Sequence, residues 1–98
     1  MAKYSSYASE DFRCILTGFY GATLHHLYTQ GSRPDLRNEE WNLIPVIQLY
    51  HDLFHKRGTA YMAKAFPPVR YWLLDKGWEF DEFSGKWRHY LAIDTRQN

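Results

Sequence analysis

The sequence has a single cysteine, Cys14, in 98 residues. One thiol excludes an internal disulfide framework and suits a reducing compartment. No window approaches 18 apolar residues, so no segment is expected to span a membrane. The opening stretch MAKYSSYASEDF has no apolar run, and no secretory signal is expected there. An excess of one charge is missing too. Twelve Lys and Arg oppose eleven Asp and Glu, a formal net charge of +1, which is not the composition of a protein that coats nucleic acid. Internal repeats, low-complexity tracts and linkers are also absent. These absences predict a soluble, intracellular protein with one domain spanning residues 1–98.

Aromatic rings are plentiful instead: 18% of the chain is Phe, Tyr or Trp. At roughly 200 Å² each, their burial alone takes about a third of the area that a chain of this size hides on folding. Aliphatic side chains need the same space, so some rings are expected to face a partner.

Residues 1–8 are small and polar and read as a loose arm. Ser9, Glu10 and Asp11 read as the cap and first turn of a helix. Phe12, Ile15, Leu16, Phe19, Thr23 and Leu27 then recur at helical spacing as far as Gly31. Gly18 and Gly21 inside that helix cost about 1 kcal/mol each relative to Ala. A turn at 35–41 precedes a second helix over 43–57, with Asn42 as its cap and Pro45 in its first turn. Thr59 caps a short third helix through Phe66, and Pro67 and Pro68 interrupt it. A last helical stretch runs from Val69 to Lys76. Beyond Gly77 the period becomes two: Trp78 and Phe80, then Trp87, His89, Leu91 and Ile93, flank the turn Phe83-Ser84-Gly85-Lys86. Residues 94–98 form a polar tail. The expected fold is α+β, a mainly helical domain of three to four helices with a C-terminal β-hairpin.

Catalytic patterns are sparse. His51-Asp52-Leu53-Phe54-His55 places two histidines on one helix face, as zinc-binding helices do, with Asp between them. A third ligand has to come from His25 or His26. Catalytic zinc also needs supporting residues and an open cleft, so ordinary surface histidines are the preferred reading, with no metal site and no cofactor. Cys14 sits among core-type residues and reads as a buried structural thiol. No enzymatic activity is expected. The stretch from Lys56 to Lys76 is richer. Lys56, Arg57, Lys64, Arg70 and Lys76 face only Asp75, and Tyr61, Phe66, Tyr71 and Trp72 are interleaved among them. Arginines and large rings of this kind anchor protein interfaces. The candidate partner-binding residues are Lys64, Phe66, Pro67, Pro68, Arg70, Tyr71 and Trp72. The two X-Pro bonds at Pro67 and Pro68 form a candidate cis-proline switch, open to a host prolyl isomerase.

A small, aromatic-rich, mostly helical chain with the segment Lys64-Ala-Phe-Pro-Pro-Val-Arg-Tyr-Trp72 resembles the small anti-RecBCD proteins of lambdoid phages. The Trp-containing ending from Gly77 to Trp87 is similar to that of phage accessory proteins. The resemblance spans the chain in size and layout. It implies a non-enzymatic inhibitor or modulator in the host cytoplasm, binding the RecBCD helicase–nuclease through its RecC subunit. Phage DNA ends would thereby escape degradation or pass to phage recombination. The alternative is a small winged-helix DNA-binding regulator, excisionase- or repressor-like, with the hairpin as wing. Residues 69–76 are too apolar for a recognition helix, and Glu79, Asp81 and Glu82 give the wing the wrong sign. Direct nucleic-acid binding is therefore not expected.

Overall fold

A computed structural model describes residues 12–92. The arm at 1–8, the predicted cap at Ser9 to Asp11, Ile93 and the tail at 94–98 lie outside the described residues.

The first predicted helix is replaced by a turn and a strand. Gly18 and Gly21 adopt φ of +78° and +89°, values that a right-handed helix forbids. The Cys14 amide donates to the Phe19 carbonyl (2.8 Å) and the Gly18 amide to the Cys14 carbonyl (2.8 Å), closing a tight loop whose ends pair at Arg13 and Tyr20. Phe12, Ile15, Leu16 and Leu27 still pack on the core. Their helical spacing is met by a loop that doubles back, whereas Phe19 is left exposed.

Strand β1 (Thr23–His26) is buried at all four positions. It pairs antiparallel with β2 (Leu43–Val46), setting Thr23 opposite Val46 and His25 opposite Ile44. Pro45 therefore lies in a strand rather than in the first turn of a helix. A two-stranded sheet leaves each strand an open edge, where a missing N–H strands no partner. Pro45 uses its carbonyl instead, accepting from the Ile15 amide at 3.1 Å.

Between the strands the chain makes two short 3-10 turns, Pro34–Leu36 and Glu40–Asn42. Asn42 does not cap a helix. Fully buried, its side chain accepts from the Tyr28 amide (2.7 Å) and donates to the Tyr28 and Leu36 carbonyls (both 3.1 Å). Those three bonds fasten both ends of the loop.

Helix α1 (Gln48–Arg57) follows β2 after one residue. Gly58, at φ +85°, turns the chain into α2 (Thr59–Ala65). Thr59 is the first helical residue here, and Gly58 takes the cap position. Phe66 breaks the helix, and α3 (Pro67–Asp75) starts directly on the two prolines. Their missing amides fall in the first turn, where no helical partner is lost. Every peptide bond among the described residues is trans, Phe66–Pro67 and Pro67–Pro68 included, so the structure holds the prolines as helix starters and not in the cis state of a switch. Gly77, at φ +97°, admits no side chain: a Cβ there would sit 3.0 Å from the Tyr90 ring.

The C-terminal hairpin is present as β3 (Trp78–Asp81) and β4 (Lys86–His89), with Phe80 opposite Trp87. Tyr90–Ala92 then form a 3-10 turn where the strand was expected to run on. The fold is α+β, but helices of all kinds make up only 43% of it. Its core joins Ile44 and Val46 of β2, Phe54 of α1, Met62 of α2, Val69 and Leu73 of α3 and Trp78 of β3. The hairpin is tied on by the Trp78 indole, which donates to the Trp41 carbonyl at 2.7 Å.

Replacing Asn42 by Ala strips the Tyr28 amide and carbonyl of their side-chain partner and leaves the Leu36 carbonyl with the Glu39 amide alone, a loss of about 2–4 kcal/mol. Urea unfolding followed by Trp fluorescence should show the midpoint of Asn42→Ala falling accordingly; an unchanged midpoint would mean that water replaces the side chain.

Candidate metal centre

Because α1 follows β2 so closely, it packs back across β1. His51 and His55, one helical turn apart, thereby face a strand that carries its own histidine. The three rings form a nearly equilateral triangle. Centroid separations are 4.9 Å for His25–His51, 5.0 Å for His25–His55 and 5.1 Å for His51–His55. One ligand nitrogen from each lies within 4.8 Å of the others. Tetrahedral coordination with metal–nitrogen bonds near 2.0–2.1 Å sets such nitrogens about 3.3 Å apart, so binding would draw the three rings inward, with the exposed His55 the least confined of them. The third ligand that the His51–His55 spacing required is His25.

Hydrogen bonds dispose the site's nitrogens. Thr23 Oγ1 lies 2.9 Å from the Val46 carbonyl and 2.6 Å from His51 Nδ1. A carbonyl only accepts, so the single hydroxyl proton goes to Val46 and Nδ1 of His51 donates to Thr23. His51 Nε2 is then a free lone pair. His26 Nε2 likewise donates to the Arg37 carbonyl at 3.0 Å, leaving its Nδ1 as an acceptor. His25 is 5% exposed, and its Nδ1 is buried without a hydrogen-bond partner. Such an orphan costs about 1–3 kcal/mol, a penalty that a bound cation relieves.

Charge follows burial. Desolvation, then the neighbouring His51, His55 and His26, push the His25 pKa down to about 3. Desolvation and His55 depress His51 against the opposing pull of Asp52. Desolvation also lowers His26, opposed by its bond to Arg37. These rings are neutral at pH 7, the state in which an imidazole binds metal. Nitrogen ligands of this type suit zinc, copper, nickel and iron. Asp52, the acid between the two helical histidines, accepts instead from Gln48 Nε2 at 2.8 Å. The triangle opens on a cleft of about 140 Å³ lined by His25, His26, Thr29, Gln30, His51 and His55.

The candidate partner residues are divided by the fold. Lys64 and Arg70 line a second, apolar groove of about 550 Å³ with Tyr61, Leu74, Phe80 and Trp87. Phe66 is half-buried, its ring edge-on to Tyr50 at 5.5 Å. Pro67, Pro68 and Tyr71 are exposed on α3. Trp72 packs against the core and lines a different cavity with Phe12, Leu24 and Lys76. Sequence reasoning missed Thr23 as a support of the site and Asn42 as the clasp of the loop between the strands. The adjacent pair His25-His26, followed by a buried-type Asn and then by His51 and His55, is the signal that a strand reading of residues 23–26 would have used. Cys14 is buried, as expected. No known protein family, curated protein or solved structure matches the chain.

Acid should unfold this protein through its histidines. Each of His25, His26, His51 and His89 has a folded pKa below the ordinary value near 6.5, so the unfolded chain takes up protons that the native state refuses. Their contribution is complete above about pH 6.5 and is lost on acidification, for His25 at about 1.4 kcal/mol per pH unit. Urea midpoints should fall between pH 7 and pH 5, with a shallower slope for His25→Leu; a flat profile would contradict the burial of these rings.

Proposed function

We propose that the chain is a metal-dependent hydrolase of phosphate diesters. The observation that carries this reading is the triangle of His25, His51 and His55, open on one side. Imidazoles bring no charge of their own, so the ligand set leaves a divalent cation its full positive charge for an anionic substrate. Such a cation, when bound, polarises a phosphoryl oxygen and lowers the pKa of water at its open position.

His26 supplies the base. Its Nε2–H is committed to Arg37, so Nδ1 is free to take the proton of an attacking water. Hydrolysis then adds the hydroxyl to phosphorus and breaks one P–O ester bond, and the departing oxygen recovers a proton. Gln30 at the rim of the cleft offers a neutral hydrogen-bonding group to the substrate, while the Thr29 hydroxyl is held by Ser32. This reading departs from the non-enzymatic binder expected from the sequence, because a strand at 23–26 brings His25 to the helical pair and His26 to the wall of the same cleft.

Zinc, nickel or ferrous iron added to chelator-stripped protein should support cleavage of bis(p-nitrophenyl) phosphate and of plasmid DNA, and magnesium should not. His26→Ala should keep metal affinity while kcat falls about 10²- to 10⁴-fold, and His55→Ala should lose metal. A wild-type chain that binds neither zinc, nickel nor ferrous iron by calorimetry would reject the proposal.

A second reading rests on the other groove. Lys64 and Arg70 there rim an apolar floor of Tyr61, Leu74, Phe80 and Trp87, which supports the expected binding of the host RecBCD helicase–nuclease. Excess protein should slow RecBCD digestion of linear duplex, and Arg70→Ala with Trp87→Ala should relieve the effect. Digestion at an unaltered rate with wild-type protein would remove this reading.

A further inference from the structure

We infer that Thr23 is a positioning residue that fixes His51 in the tautomer able to ligate, an inference that rests on the metal-centre reading above. Histidine offers two nitrogens, and the one that binds metal is chosen by what the other does. At His51 the choice is made by a strand, two elements away from the helix that carries the ring. The Thr23 hydroxyl has one proton and two close neighbours, the Val46 carbonyl at 2.9 Å and His51 Nδ1 at 2.6 Å. Val46 lies opposite Thr23 in the β1–β2 register, so the acceptor of that proton is part of the sheet itself. With the hydroxyl proton directed to the carbonyl, the oxygen presents a lone pair to the imidazole. His51 must then carry its own proton on Nδ1, and Nε2 is left bare.

The arrangement is protected from water. Thr23 is 5% exposed and Val46 is fully buried, so little solvent competes for the hydroxyl. Valine at position 23 has nearly the same shape but no lone pair. His51 would lose its acceptor, and the Nε2–H form, which is blocked as a ligand at that atom, would gain population. Serine keeps the hydroxyl. The two substitutions therefore separate a role in orienting the proton from a role in packing.

Two measurements test this. Nitrogen-15 NMR of the metal-free wild-type protein at pH 7.5 should show His51 protonated at Nδ1 and bare at Nε2, whereas Thr23→Val should shift the ring toward the Nε2–H form. A wild-type His51 protonated at Nε2 would overturn the inference without any reference to metal. Zinc affinity, measured against a chromogenic chelator, should fall about 10- to 100-fold in Thr23→Val and stay within about threefold of wild type in Thr23→Ser. If wild-type protein binds zinc and Thr23→Val binds it equally well, the role of Thr23 is overturned and the metal centre stands. If wild-type protein binds no zinc while His51 shows the expected tautomer, the metal-centre reading fails, and with it the assignment of Thr23 to metal binding. Should Thr23→Val not fold, the wild-type tautomer together with the Thr23→Ser affinity decides the matter.

Discussion

Burial of four consecutive residues on β1 obliges each polar atom along that strand to find a partner inside the protein. The strand's backbone turns to β2. Thr23 turns to the Val46 carbonyl and His26 to the Arg37 carbonyl. His25 Nδ1 finds nothing. The rest of the site follows from this imbalance, because the unpartnered ring lies where α1 delivers two more histidines. A strand buried on both faces usually carries aliphatic side chains. Here it carries imidazoles, kept neutral by the desolvation that ordinarily makes such residues expensive to bury. Trp41 Nε1 is the other orphan among the described residues. Its ring stacks on His89 at 3.8 Å, in the aromatic cluster that attaches the hairpin.

Local signals made the C-terminal half of the molecule legible, from Gln48 onward, whereas Asn42 and β2 just before it do not show as a buried clasp and a strand. Gly58, the Pro67-Pro68 pair and Gly77 punctuate three helices, and the alternation at Trp78 and Phe80 marks a strand, because each of these residues restricts its own backbone directly. The N-terminal third was not legible by the same means. Phe12, Ile15, Leu16, Thr23 and Leu27 satisfy a helical period, yet a loop followed by a short strand presents the same side chains to the core. Gly18 and Gly21 were read as blemishes in a helix when their positive φ was the reason no helix forms. A four-residue strand buried on both faces shows no alternation at all. The site shared this fate. His51 and His55 were recognisable from their spacing, while His25 joins them only through tertiary packing.

The surplus of rings visible in the composition has two destinations. Tyr28, Trp41, Trp78 and His89 stack or meet edge-on within 3.8–6.4 Å, and so act as the joint between the loop and the hairpin. Tyr61, Phe80 and Trp87 line the groove beside Lys64 and Arg70, where helix and hairpin leave apolar surface uncovered. Sequence proximity had placed Tyr71 and Trp72 in one patch with Arg70. A helix sends adjacent residues about 100° apart, so the groove instead draws Leu74 from the next turn, Tyr61 from α2 and Phe80 and Trp87 from the hairpin.

The Asn42 clasp has a consequence for how this architecture can vary. By holding Tyr28 and Leu36 to the start of β2, it makes the two strands meet in register whatever the chain does between them. Enlarging a flexible connection costs little, about 0.6 kcal/mol for each doubling of its length. The segment between Thr29 and Arg33 is therefore a place where insertions could accumulate, or a recognition element be grafted at the mouth of the histidine cleft, while the geometry of the three rings stays the same.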